Sequence, residues 1–192
     1  NNNKNISNGF GSFIYNGKAG PVIPRSNGQL RCIKAIDSND LIFITGPAGT
    51  GKTFLSIVYA LSFFKKQKFE KIILCRPAVE AGENLGFLPG DLKEKIDPYL
   101  APLYDSLEKI IPKNAKYFLC TVESMPIDKN LDFVGIDEIQ MCADHERGHI
   151  FTDRLLNIRG NKLTMFMGSN TIKGIISKLD DDIEFILSLI HI

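Results

Sequence analysis

Leu41 to Thr53 reads LIFITGPAGTGKT, and the fold follows from it. Leu41 to Thr45 is a short apolar run of strand length. Gly46 to Thr53 matches G-x-x-x-x-G-K-[ST], and Lys52 to Lys66 continues with helical character. Strand, glycine loop and helix in that order make a phosphate-binding loop. Gly46, Gly49 and Gly51 let the backbone curl without Cβ clashes, so the loop of Gly46, Pro47, Ala48, Gly49, Thr50 and Gly51 turns its N–H groups inward. The helix that follows adds its positive N-terminal end. Lys52 is expected to reach the β- and γ-phosphates, and Thr53 to hold Mg²⁺ through its hydroxyl. The stretch thus predicts ATP and Mg²⁺ as ligands.

Around this stretch, strand-like and helix-like segments alternate. Lys71 to Cys75 (KIILC), Lys116 to Val122 (KYFLCTV), Leu131 to Ile136 (LDFVGI) and Leu163 to Gly168 (LTMFMG) read as buried strands. Helical spacing marks Gln29 to Ile36, a segment from about Asp91, and Asp153 to Ile158. This pattern predicts an α/β fold, a mostly parallel sheet with helices on both faces and right-handed crossovers.

The tips of such strands are where ligands bind. Leu131 to Ile136 ends in Asp137-Glu138-Ile139-Gln140. An apolar strand ending in Asp-Glu completes a phosphate-binding loop: Asp137 is expected on Mg²⁺ with Thr53, and Glu138 to polarise the attacking water. Lys52 and Glu138 are therefore the catalytic candidates. Ser169 and Asn170 follow the last strand, as γ-phosphate sensors or as a simple turn. Arg76, Glu80 and Glu83 follow the second strand, as site residues or as a salt-bridged loop.

The 192 residues suit one domain with a sizeable core. A net charge of +1 leaves no global signal for nucleic acid or an anionic membrane, so any such site is a local patch. Cys32, Cys75, Cys120 and Cys142 form no C-x-x-C pair and lie mostly in apolar runs, as buried thiols in a reducing compartment would. Cys142, His145 and His149 lack a fourth ligand and make a poor zinc signature. The longest apolar run, Phe54 to Phe64, is too short for a bilayer, and no secretory signal is visible. A cytoplasmic location is expected. Residues 1–28, rich in Asn, Gly, Ser and Pro, read as a flexible lead-in.

From about Gly17 to Leu107 the chain resembles the PhoH-like ATPase family. GPAGTGKT (46–53) and RPAVEAGENLGFLPGDLKEKIDPYLAPLYD (76–105) carry the resemblance. It implies a RecA-like P-loop NTPase domain, ATP and Mg²⁺ binding, self-association into a homo-oligomer and a role with RNA. From residue 108, DEIQ (137–140), ERGHIFTDRLL (146–156) and MFMGSNT (165–171) resemble the first motor domain of mitochondrial-degradosome-type RNA helicases. The two resemblances predict a seam near Ser106 to Ile111, so that 29–186 forms one hybrid domain. Leu187 to Ile192 (LSLIHI) reads as the translation of a transposon end and is expected to be a foreign tail.

In helicase-like ATPases a glutamine at the position of Gln29 often reads the adenine edge; an exposed helix glutamine is the alternative. The leading expectation is an Mg²⁺-dependent ATP hydrolase linked to RNA. A helicase fragment binding single-stranded RNA through Arg76, Lys93 and Thr121, or a nucleotide-binding hybrid without turnover, are the alternatives. Arg76, Arg147, Arg154 and Arg159 are candidate arginine fingers acting on a neighbouring subunit.

Overall fold

Successive side chains of a β-strand point to opposite faces, so a strand that is apolar throughout needs cover on both sides. Lys71–Arg76 shows this directly. Ile72 and Leu74 enter one apolar cluster with Ile57, Val58, Leu61 and Met165, while Ile73 and Cys75 enter another with Val134, Phe151, Leu155 and Phe166. Burying one such side chain stabilises by about 1.5–3 kcal/mol. A register slip of one residue would exchange the two faces of the strand and expose them to the wrong neighbours.

The structure is a computed structural model, and it describes residues 15–17, 20–66, 68–77, 116–127, 130–179 and 186–187. In chain order these form β1 (Tyr15–Gly17), β2 (Gly20–Val22), α1 (Asn27–Ser38), β3 (Leu41–Thr45), α2 (Lys52–Lys65), β4 (Lys71–Arg76), β5 (Lys116–Thr121), β6 (Phe133–Ile136), α3 (Gly148–Asn157), β7 (Leu163–Gly168), α4 (Lys173–Ile176) and β8 (Ile186–Leu187). Short 3₁₀ turns span Ile139–Ala143 and Asn170–Ile172. Strands β1 and β2 pair as an antiparallel ribbon. The remaining six form one sheet in the order β5-β4-β6-β7-β3-β8, and every pairing in it is parallel.

In that order β7 lies between β3, which feeds the glycine loop, and β6, which ends in Asp137-Glu138. This is the RecA-like P-loop arrangement, and it lines up the carboxyl ends of β3, β7 and β6. Residues of α1 and α2 pack in one core cluster, and those of α3 and α4 in the other. The expected α/β class, parallel sheet and two covered faces are all present.

Several boundaries differ from the sequence expectation, each for a local reason. Helix α1 begins at Asn27 because Ser26 caps it, its Oγ accepting the Gln29 N–H at 3.2 Å. The stretch expected as a flexible lead-in to residue 28 therefore holds the start of α1 as well as the β1–β2 ribbon. Strand β6 begins at Phe133, two residues late, because Asp132 spends its carboxylate on the amides of Glu70 and Lys71. Leu187, the first residue of the expected tail, pairs with Thr45 at the edge of the sheet. Glu80, Glu83, Lys93, the helix from Asp91 and the expected seam at 106–111 lie outside the described residues. Among the described residues no helix is long and apolar enough to cross a membrane.

Candidate nucleotide site

The loop at the end of β3 depends on two backbone positions. Gly49 and Gly51 have φ of 74° and 77°, a left-handed conformation that costs little only without a Cβ. A Cβ added to Gly49 would meet nothing within 4 Å, so it is the backbone conformation and not crowding that favours glycine there. Thr50 Oγ1 donates to the Pro47 carbonyl at 2.9 Å and closes the turn. The Lys52 ammonium lies back over the loop, donating to the carbonyls of Gly46 at 3.0 Å and Pro47 at 2.8 Å. Partial burial lowers its pKa, and the charges of Asp137 and Glu138 pull it back up. Ala48 is exposed on the loop, and Gly46 is tied to β7 by its N–H, which donates to the Gly168 carbonyl at 3.1 Å.

Opposite the loop, Thr53 Oγ1 donates to Asp137 Oδ2 at 2.8 Å, across 84 residues of sequence. Asp137 is only 2% exposed. Burial raises its pKa, and the neighbouring Glu138 charge adds to the rise; the Thr53 hydroxyl and Arg76 act against it. The Arg76 guanidinium stands 3.9 Å from the same carboxylate oxygen. This places Arg76 beside the acidic pair of its own chain. A buried carboxylate joined to a hydroxyl is a hard-oxygen donor set, and it fits Mg²⁺, which takes one or two protein oxygens and keeps its remaining positions for water and phosphate.

Glu138 follows Asp137 with φ 57° and ψ 42°, the one non-glycine residue with positive φ among those described. Such a conformation costs about 1–3 kcal/mol and persists where surrounding contacts enforce it. It turns the chain into the 3₁₀ segment, where Met141 N–H returns to the Glu138 carbonyl at 2.9 Å. The Glu138 carboxylate accepts a hydrogen bond from Gln140 Nε2. Gln140 Oε1 in turn accepts the Ser169 N–H at 3.0 Å. Sequence reasoning quoted Gln140 within DEIQ and gave it no role. The only sequence signal for it is its position two residues after Glu138.

Gln29 is brought to the loop: its Nε2 lies 3.9 Å from where a Cβ on Gly51 would stand, and its Oε1 accepts the Arg25 N–H at 2.6 Å. Ser169 lies at the tip of β7, its hydroxyl bonded to that of Thr171. Asn170 is exposed and opens the turn that follows. Three arginines are held by contacts near their own backbone. Arg154 pairs with Asp153, Arg147 stands 3.9 Å from Asp144, and Arg159 donates to the carbonyls of Leu155 and Ile158. Thr121 is buried and its hydroxyl meets that of Ser124 at 3.0 Å.

Comparison with known proteins gives this geometry a context. A family model described as PhoH-like protein matches residues 21–167, running on through 106–111. The chain is 55% identical to a PhoH-like protein of Bacillus subtilis (strain 168) over 96 residues, which is 50% of this chain and 30% of that protein. It is 46% identical to a PhoH-like protein of Mycobacterium leprae (strain TN) over 143 residues, 70% of this chain and 41% of the relative. It is 47% identical to Protein PhoH of Escherichia coli (strain K12) over 87 residues, 45% and 25% of the two chains. The chain thus spans less than half the length of these curated relatives.

Proposed function

The chain belongs to the PhoH-like protein family, and on that premise we propose that it is an Mg²⁺-dependent ATP hydrolase acting with RNA. One observation carries the reading: the hydroxyl that ends the glycine loop and the buried carboxylate that ends β6 meet at 2.8 Å. Thr53 and Asp137 would hold Mg²⁺, which supplies a positive charge for phosphate oxygens and orients them for in-line transfer. The N–H groups of the loop and the Lys52 ammonium bind the phosphates. The Glu138 carboxylate orients the attacking water and draws on its proton. Gln29, whose Nε2 lies 3.9 Å from where a Cβ on Gly51 would stand, is the proposed reader of the base.

Arg76 at 3.9 Å from Asp137 places one cation in cis, suited to charge that develops on the transferred phosphoryl group. With a net charge of +1, RNA contact has to come from a local patch, and the tip of β4 with Arg76 is the proposed path; Thr121, at the end of β5, is buried and takes no part in it. Assembly into a homo-oligomer and a cytoplasmic setting belong to the same reading.

The test is phosphate release from ATP by the full chain and by Lys52→Ala and Glu138→Gln. Loss of a group that stabilises developing charge is expected to lower turnover by roughly 10²–10³ in each. Glu138→Gln should still show ATP-dependent heat stabilisation, and Lys52→Ala should not. Turnover unchanged in both variants would remove the hydrolase reading. ATP stabilisation without phosphate release in the unaltered chain would leave a binding module. RNA that stimulates turnover with a steep salt dependence supports the RNA link, and no response to RNA removes it.

A further inference from the structure

We propose that Gln140 is a positioning residue that couples the nucleotide-binding loop to the Glu138 carboxylate; this rests on the hydrolase reading above. The path is a short chain of hydrogen bonds. The N–H of Gly46, first residue of the loop, donates to the Gly168 carbonyl at 3.1 Å. The next N–H, that of Ser169, donates to Gln140 Oε1 at 3.0 Å. Gln140 Nε2 then donates to the Glu138 carboxylate. A displacement of the loop or of the β7 tip is therefore felt at the carboxylate through one planar amide.

An amide suits this place. It offers an acceptor to a backbone donor and a donor to a carboxylate in one rigid group. A glutamate would put like charge against Glu138, a methionine offers neither bond, and an asparagine is one methylene too short for both.

Two features of the backbone serve the same arrangement. A Cβ at Gly168 would overlap Gln140 Oε1 and stand 3.1 Å from Ile139 Cγ2, so the glycine gives the amide its room. The left-handed turn at Glu138 folds residue 140 back beside residue 138. A side chain that merely filled space would need neither. The bond to Glu138 holds its carboxylate in one direction; charge-assisted bonds of this kind are directional and stronger than neutral ones.

The experiment uses the full chain with Gln140→Met, which keeps the volume, and Gln140→Asn, which keeps the amide but not the reach. The expected result is a fall in kcat of about 10- to 100-fold in both, with KM for ATP changed by no more than about twofold. Melting midpoints should stay close to that of the unaltered chain. In a Glu138→Gln background, Gln140→Met should cost nothing further, because it acts through the group already removed. Unchanged kcat overturns the proposal. So does a parallel loss of kcat, ATP affinity and melting temperature, or a full additive loss in the Glu138→Gln background. Absence of ATP turnover in the unaltered chain overturns the hydrolase reading and this one with it, whereas turnover that survives both Gln140 variants overturns this one alone.

Discussion

Strand β6 has an aspartate at each end, and the two behave in opposite ways. Asp132 stands before Phe133, at the end of the sheet away from the loop. Its Oδ2 accepts the amides of Glu70 at 2.7 Å and Lys71 at 3.3 Å, and its Oδ1 lies 3.2 Å from the Lys162 ammonium. Burial pushes its pKa up, but these donors outweigh it and the net shift is downward. Asp137 follows Ile136 at the other end, and there the balance is reversed. Burial raises its pKa, and Glu138 beside it raises it further, against Thr53 and Arg76. One residue type at the two ends of one strand thus makes a structural clamp where donors outweigh burial and a buried acid where burial outweighs them. The difference lies in what neighbouring strands bring, since the strand between them is four buried residues.

The amino-terminal end also has its own cavity, of about 560 Å³, lined by Ile36, Asp40, Phe63, Lys68, Phe69 and Lys162 among others. The chemistry-bearing residues are nonetheless at the carboxyl end, where the loop and the tips of β6 and β7 converge.

The contrast can be broken most severely by exchanging each aspartate for its amide. Asp137→Asn is expected to reduce ATP turnover by roughly 10²–10³, as loss of a charge-stabilising group does. Asp132→Asn is expected to leave turnover near its starting value and to lower stability by about 1 kcal/mol, the net worth of hydrogen bonds that water can partly replace. Phosphate release and chemical denaturation of the two variants check this. Equal loss of turnover in both would erase the distinction.

A second test follows the same pair through pH, with opposite signs. The lowered pKa of Asp132 contributes stability that is present above the unfolded value of about 3.9 and lost as pH falls through the folded value. The raised pKa of Asp137 contributes stability that is present below about 3.9 and lost as pH rises through its folded value. Ionisation of Asp137 is therefore a cost to the fold. Thermal melts should show Asp137→Asn more stable than the unaltered chain near neutrality, the gain shrinking towards about pH 4. Asp132→Asn should be the less stable there, its deficit shrinking only at lower pH. Two variants with the same pH trend would refute the assignment.

The smallest expected effect on stability concerns Glu138 and its left-handed backbone. Glu138→Gly should abolish the orienting carboxylate yet raise stability by up to about 1 kcal/mol, as relief of unfavourable φ outweighs added chain entropy. A melting temperature that falls would mean that the Gln140 bond contributes more to the fold than the strain costs.

Much of this site was legible in the residues alone. GPAGTGKT named Lys52 and Thr53, and an apolar strand ending in Asp137-Glu138 named their partner, because phosphate and metal chemistry constrain residue type and local order tightly. The alternating strands and helices gave the sheet class for a similar reason: a parallel strand covered on both faces is apolar at every position. Strand and helix ends were less legible, since a side chain such as Ser26 or Asp132 fixes them through a hydrogen bond that periodicity does not encode. Gln140 was read past because its two partners, Glu138 and the Ser169 amide, come together only when β6 and β7 pair.

By itself the sequence determined the chemistry available to this protein: a glycine loop for phosphates, a lysine, a hydroxyl and an acidic pair. Only the tertiary structure decided where that chemistry meets. Parallel pairing in the order β6-β7-β3 places Thr53 at 2.8 Å from Asp137 and sets Arg76, from β4 on the other side of β6, against the same carboxylate. The physical reason is that residue type is a local property of the chain, whereas burial of Asp137, its raised pKa and the Gln140 bridge arise from strands far apart in sequence.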